Sequence, residues 1–182
     1  IALTFVFSSP DSLLYEPISN FYVCINTAIL LFFQNINQLE NQMETNIRWV
    51  GGAAFIGESG EGHKIVMDGP PEGGGRNLGP RPMETLLLGM GACTAYDVVS
   101  ILQKSRQDIR DCSMTMSANR ADDHPKVFTD IHIHFIVVGK ELKEKQVERA
   151  INLSAEKYCS ASIMLGKTAK ISHDFELQEP QE

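Results

Sequence analysis

The run Pro82-Met83-Glu84-Thr85-Leu86-Leu87-Leu88-Gly89-Met90-Gly91-Ala92-Cys93-Thr94-Ala95-Tyr96-Asp97-Val98-Val99-Ser100-Ile101-Leu102-Gln103-Lys104 decides how the chain folds. Pro82 suits a helix start, because its fixed φ fits the first turn and its missing N–H would have no intrahelical acceptor there. Glu84 adds a carboxylate at the positive end of the helix dipole. From Met83 to Leu102 the side chains are almost all apolar. That predicts a helix to about Ser105, ending near Arg106 and buried on most of its faces. About twenty apolar residues also have the length to cross a bilayer. Asp97 and the small residues Gly89, Gly91 and Ser100 argue against that span and suit close packing on a helix or sheet.

Working outward, residues 46–56 read as a strand with a Gly51-Gly52 bulge, Gly57 to Gly62 as a turn, and His63 to Asp68 as the second strand of a hairpin. Residues 69–82 hold Gly69, Pro70, Pro71, Gly73, Gly74 and Gly75, the composition of a mobile surface loop. Beyond the helix, Cys112 to Asn119 and Val127 to Val138 alternate in polarity as strands do, around a turn at Asp122-Asp123-His124-Pro125. Glu141 to Tyr158 is an amphipathic helix with Leu142, Val147, Ala150, Ile151 and Leu153 inward. Ser160 is placed to cap a short helix through Leu165, and Lys170 to Leu177 closes as a strand. The order is that of an α+β fold, antiparallel sheets around a long buried central helix. One small sheet cannot cover that helix on every side, so a second copy of the chain is the simplest cover and a homodimer is expected.

The 182 residues are 43% apolar and carry a net charge of −7, the balance of a soluble globular protein. An acidic chain without a Lys/Arg cluster argues against a nucleic-acid footprint. Four cysteines do not make a disulfide scaffold; they fit a reducing, cytoplasmic setting in which some thiols do chemistry. No Lys or Arg precedes Arg48, and Phe21 to Phe33 is apolar apart from Asn26 and Thr27. That stretch lacks the positive flank of a signal peptide and the length of a membrane span. Residues 1–42 are therefore read as an N-terminal extension and 43–182 as the domain, with a partner-binding arm as the alternative for 1–42.

Two cysteines stand out. Cys93 lies in the apolar helix, and Cys159 lies in Ala155-Glu156-Lys157-Tyr158-Cys159-Ser160, at the end of the amphipathic one. Such a pair suggests a reactive dithiol; two buried structural cysteines is the alternative. Cys112 opens a strand and reads as structural, while Cys24 falls in the extension. The histidines His63, His124, His132, His134 and His173 include two on one strand face, but no Cys-x-x-Cys or His-x-x-x-His spacing occurs. They read as solvated strand positions, and no metal site is expected. Gly73-Gly74-Gly75 and Gly89-x-Gly91 lack the strand-turn-helix setting of a phosphate loop.

Pro82 to Cys93, together with Ala95-Tyr96-Asp97-Val98-Val99-Ser100-Ile101-Leu102-Gln103-Lys104 and Leu153-Ser154-Ala155-Glu156-Lys157-Tyr158-Cys159-Ser160, resembles the OsmC/Ohr family of osmotically inducible and organic hydroperoxide resistance proteins, closest to its YhfA-like branch. The resemblance covers about Met43 to Leu177. It implies an intertwined homodimer with two active sites at the subunit interface. It also implies a cysteine-based peroxidase with no bound metal, haem or other cofactor. By position it implies that Cys93 is the peroxidatic cysteine and Cys159 the resolving one. In the implied cycle the Cys93 thiolate attacks an organic hydroperoxide and becomes a sulfenic acid. Cys159 condenses with it to a disulfide, and a lipoyl-type dithiol on a lipoylated protein reduces that disulfide.

This chemistry needs a thiolate, and an apolar helix opposes ionisation unless a cation or donor offsets the burial. The resemblance implies an arginine from the first hairpin turn, oriented by a glutamate at the start of the cysteine helix. Here Gly57-Glu58-Ser59-Gly60-Glu61-Gly62 contains no arginine, and the glutamate position holds Met83 with Glu84 next to it. Glu84 precedes Cys93 by nine residues, about 180° round an ideal helix. Arg81, Arg76, Arg48 and Arg106 are the substitute cations, Arg81 first because its loop leads into the helix. Asp97 lies one turn beyond Cys93 on the same face. It either orients an arginine in place of the displaced glutamate or is a buried polar group satisfied by backbone or a tyrosine; as an anion it disfavours the Cys93 thiolate.

Overall fold

The computed structural model describes residues 43–181. The extension expected at 1–42, with Cys24, lies outside them. Three short strands come first, β1 (Thr45–Trp49), β2 (Phe55–Ser59) and β3 (Lys64–Met67), in the sheet order β1-β2-β3. Gly51-Gly52 is not a bulge within one strand but the turn between β1 and β2. Both glycines have positive φ, 104° and 55°, which a residue without Cβ adopts freely. The Val50 N–H donates to the Ala54 carbonyl at 3.0 Å, the Ala54 N–H to the Gly51 carbonyl at 3.0 Å, and the Trp49 indole to the Gly52 carbonyl at 2.9 Å. Two successive left-handed residues reverse the chain instead of widening a ladder, so the single strand expected over 46–56 becomes two.

The glycine- and proline-rich loop after β3 has an internal anchor. Asp68 is 1% exposed, and its carboxylate accepts the N–H groups of Gly69 (2.8 Å), Arg76 (2.9 Å) and Leu78 (3.2 Å). The Arg76 amide, helped by those of Leu78 and Gly69, outweighs burial and holds the Asp68 pKa below its ordinary 3.8. A depressed folded-state pKa means that this contribution is complete above the ordinary carboxylate range and is lost as pH falls through the folded value. Asp68→Ala leaves three amides without their acceptor. Hydrogen exchange at the Arg76 and Leu78 amides is expected to accelerate by about tenfold or more at neutral pH, read by exchange mass spectrometry, while α1 keeps its protection. In the wild type the same amides should lose protection only in acid.

Helix α1 (Pro82–Lys104) begins where the proline places it and ends within a residue or two of the expected stop. Its burial is narrower than expected. Met90, Thr94, Val98 and Leu102, spaced four apart, form one buried stripe with Gly91, while Leu86 (50%), Leu88 (60%) and Tyr96 (76%) are exposed. One three-stranded sheet covers one side of a helix, so among the described residues much of its surface stays open. By length and composition the helix is apolar enough to cross a membrane.

The sheet beneath it contains β4 (Asp108–Arg120), β5 (Phe128–Lys140) and β6 (Lys170–Gln178), in that order. β4 and β5 pair antiparallel, as their alternation predicts. β5 and β6 pair parallel, which corrects the expectation of wholly antiparallel sheets. The reason is the connection. Between them the chain passes through α2 (Glu144–Leu153), a π-helical turn (Ser154–Tyr158) and α3 (Ser160–Leu165), and a helical crossover of this length returns the strand in its original direction. Central strand β5 sends Ile131, Ile133, Phe135 and Val137 into a core completed by the α1 stripe and by Val147, Ala150 and Ile151 of α2. Gly91 lets α1 approach β4, since a Cβ there would come 2.8 Å from the Met116 sulfur.

Candidate functional site

Two elements build the site. On α1, Cys93 and Asp97 are one turn apart and therefore share a face. The second thiol comes from the junction between the π-helical turn and α3. Cys159 has φ −72° and ψ 98°, the extended backbone of an N-cap, and its sulfur accepts the Ser162 N–H at 3.4 Å. The cap is thus Cys159, not Ser160 as expected: its Sγ occupies the place of the usual capping oxygen. The Cys93 and Cys159 sulfurs and an Asp97 carboxylate oxygen lie within 4.8 Å of one another. Cys93 and Asp97 are half-buried and Cys159 is fully buried.

Serines and a threonine knit these groups together. Ser154 donates its hydroxyl to Asp97 Oδ2 at 3.1 Å, and its carbonyl accepts the Cys159 N–H at 2.9 Å. That second bond is the wide i to i+5 bond of the π-helical turn, a feature that recurs at functional sites. Asp97 therefore finds its partner in Ser154, not in backbone or a tyrosine. Thr94 Oγ1 lies 3.2 Å from Cys159 Sγ and 3.3 Å from Ser162 Oγ, and donates to the Met90 carbonyl at 2.9 Å. Sequence reasoning missed Thr94, Ser154 and Ser162. The available signal was Thr94, a polar residue beside Cys93 in a mostly apolar run.

The two thiols have opposite electrostatic surroundings. Burial pushes the Cys93 pKa up; the neighbouring Cys159 and the Asp97 charge push the same way, and the Ala161 N–H opposes them. Burial also resists ionisation of Cys159. There the Ser162 and Thr94 hydroxyls, the Ser162 N–H and the Cys93 thiol outweigh it, so the pKa falls below the ordinary thiol value. Cys112 is raised to about 11 by burial and by Asp111, which makes it inert near neutrality. Asp97→Asn removes a like charge from Cys93, so Cys93 alkylation is expected to shift to lower pH and to speed up a few-fold at neutral pH. Slower alkylation at every pH would show instead that Asp97 recruits a cation for the thiolate.

Arg81 and Glu84 sit at the other end of the helix. The Arg81 N–H donates to Glu84 Oε2 at 2.9 Å, and Arg81 Nη1 lies 3.4 Å from Glu84 Oε1, both side chains half exposed. At 1.5 Å per residue Arg81 and Glu84 are about 18 and 14 Å along the axis from Cys93. Arg76 is held through its backbone by Asp68, Arg48 lies exposed in β1 and Arg106 follows the helix end with φ 59°. Among the described residues, no arginine pairs with Cys93 or Asp97 within the chain. A cleft of about 490 Å³ beside Asp97 does bring in Lys104 and Arg149, with Tyr96 and Tyr158 also lining it. An apolar groove of about 450 Å³ runs past Leu87, Leu88, Gly91, Ala92, Met114 and Met116. The paired strand histidines turn elsewhere: His134 bonds Asp174, and His132 Nδ1 lies 2.9 Å from Ser172 Oγ.

Fold and site together define a class: an α+β protein whose dithiol is assembled between a long helix and a helix-capping turn. Comparison with known proteins gives the class its family. A model of the OsmC-like protein family matches residues 73–174. Protein YhfA of Escherichia coli strain K12 is 47% identical over 135 residues, which cover 74% of this chain and 98% of that protein. A solved structure from Aquifex aeolicus VF5, described as a hypothetical protein, superposes with a TM-score of 0.68 at 31% identity, covering 78% of this chain and 99% of the other. The organic hydroperoxide resistance protein OhrB of Bacillus subtilis shares the fold at a TM-score of 0.53 and 18% identity, over 74% of this chain and 98% of its own. The chain belongs to the OsmC family.

Proposed function

We propose that the protein is a thiol-dependent peroxidase that reduces organic hydroperoxides. The observation that carries this reading is the proximity of the two thiols, Cys93 half-buried and Cys159 buried beside it, within 4.8 Å. The Cys93 thiolate attacks the distal oxygen of the hydroperoxide. The O–O bond breaks, an alcohol leaves with a proton, and Cys93 becomes a sulfenic acid. Cys159 then forms a disulfide with Cys93 and releases water; an external dithiol of the lipoyl type returns both sulfurs to thiols. The groove past Leu87, Leu88 and the two methionines suits an apolar substrate chain. A second copy of the chain covers the exposed Leu86, Leu88 and Tyr96 face and brings a further set of cations to the site, in a cytoplasmic homodimer. The test is stoichiometric: cumene hydroperoxide should consume two thiols per peroxide and produce an intramolecular disulfide. No thiol loss with cumene or lipid hydroperoxides would sink the proposal.

A second reading is favoured by the raised Cys93 pKa and by the lack of an arginine beside it within the described chain. In it the protein is an OsmC-like thiol protein, or binds an apolar small molecule, without peroxidase activity. An apolar ligand co-purifying with the protein, together with a Cys93 inert to hydroperoxide, decides for it.

A further inference from the structure

Thr94 and Ser162 have no part in the cycle just described, yet their hydroxyls converge on its second sulfur. They are 2% and 4% exposed, so no solvent competes for their hydrogen bonds. Thr94 gives its proton to the Met90 carbonyl, the usual back-bond of a helical threonine. Its oxygen is also 3.2 Å from Cys159 Sγ and 3.3 Å from Ser162 Oγ. Each hydroxyl has one proton, so the three partners cannot all be served at once. While Cys159 is a thiol, its S–H is free to donate to Thr94. Once Cys159 is a thiolate, rotation about a single bond turns the Thr94 proton from Met90 to sulfur. The Ser162 N–H at 3.4 Å is a fixed donor that does not need to move.

We propose that Thr94 and Ser162 are catalytic residues of the disulfide-forming step, holding Cys159 as the thiolate that attacks the Cys93 sulfenic acid. In this step the electron pair on Cys159 Sγ forms the S–S bond and the S–O bond of Cys93 breaks. Hydroxide leaves and takes up a proton as water, so no further oxidant is required. The labour is divided by burial: the half-exposed thiol meets the peroxide, while the fully buried one carries the charge out of reach of it. The titratable groups facing Cys159 are Cys93 and Asp97 of α1. Glu156, Lys157 and Tyr158 of the π-helical turn are exposed, and α3 contains no ionisable residue. The Asp97 charge works against the thiolate, so the hydroxyls must outweigh it, in keeping with the lowered Cys159 pKa.

The cycle in this inference rests on the peroxidase reading, and the test separates the two. In full-length protein with Cys24, Cys93 and Cys112 replaced by serine, the ultraviolet thiolate absorbance of Cys159 is followed against pH. Thr94→Val, which keeps the shape and removes the donor, should move that titration upward by about one pH unit; Ser162→Ala should move it the same way and Thr94→Ser should restore it. In protein with all its cysteines, one equivalent of cumene hydroperoxide should then give a disulfide about tenfold more slowly in Thr94→Val, with more Cys93 sulfenic acid trapped by dimedone. A titration unmoved by both Thr94→Val and Ser162→Ala overturns the proposal. If hydroperoxide gives neither a disulfide in the wild type nor a trapped sulfenic acid in Cys159→Ser, the peroxidase reading fails, and the titration still decides the role of the hydroxyls. Resolution by Cys159 of a Cys93–glutathione mixed disulfide then supplies the rate.

Discussion

Cys93→Ser is expected to abolish hydroperoxide-dependent thiol loss, whereas Cys159→Ser should complete one reduction and stop. A serine hydroxyl is not ionised near neutrality and does not enter the oxidation ladder that begins at a thiolate, so the first variant should fall to the uncatalysed background. That is a loss of about a thousandfold or more, by analogy with removing other nucleophiles. The second variant keeps the nucleophile and loses only its partner, so it should consume one equivalent of peroxide and leave a Cys93 sulfenic acid that dimedone traps. Cys112 cannot rescue it, because its pKa near 11 leaves almost no thiolate. Both replacements are nearly isosteric and should fold. Mass spectrometry of the trapped adduct reads the outcome. One equivalent of peroxide consumed by Cys93→Ser and none by Cys159→Ser would reverse the roles of the two cysteines, and the lowered pKa of Cys159 makes that contrast worth measuring.

The parts of the fold that were legible in the sequence are those fixed by local chemistry. Pro82 and Glu84 set the start of α1, and the period-two alternation of β4 and β5 named which residues enter the core. The parallel pairing of β5 with β6 was not legible, because alternation says which face a residue takes and nothing of strand direction. Gly51-Gly52 fits a bulge or a turn equally well until the φ angles are known. The approach of Cys93 to Cys159 followed from family resemblance, but its setting did not. Thr94 meets Cys159 across 65 positions, and the π-helical turn that aims Cys159 at it leaves no periodic trace. Arg81 and Glu84 were weighed as partners of the thiol from their place beside its helix. Three residues apart at a helix start, they satisfy each other first. A local pair needs no tertiary structure to form, which is why such pairs prevail over distant ones in a chain considered alone.

Phe135→Ala is expected to destabilise the protein by about 3–5 kcal/mol. Phe135 is 0% exposed and, among the described residues, the largest of the fully buried side chains. It stands in the middle of β5, directly opposite Met114 of β4 and Phe175 of β6. A strand hydrogen-bonded on both sides cannot shift to fill the space a missing ring leaves, so the cavity persists and the upper half of the range applies. For a domain of this size the melting temperature should fall by roughly 8–20 °C, measured by calorimetry or circular dichroism. The site should feel the loss as well, because α1 and α2, which lead to Cys93 and Cys159 respectively, rest on the same core. Disulfide formation, which needs both elements in register, should slow more than sulfenic acid formation, which needs α1 alone. Phe175→Ala supplies the control. That ring is only half-buried on β6 within the chain, so it should cost less than Phe135→Ala. Equal costs for the two would mean that its open side is covered in solution by a second copy.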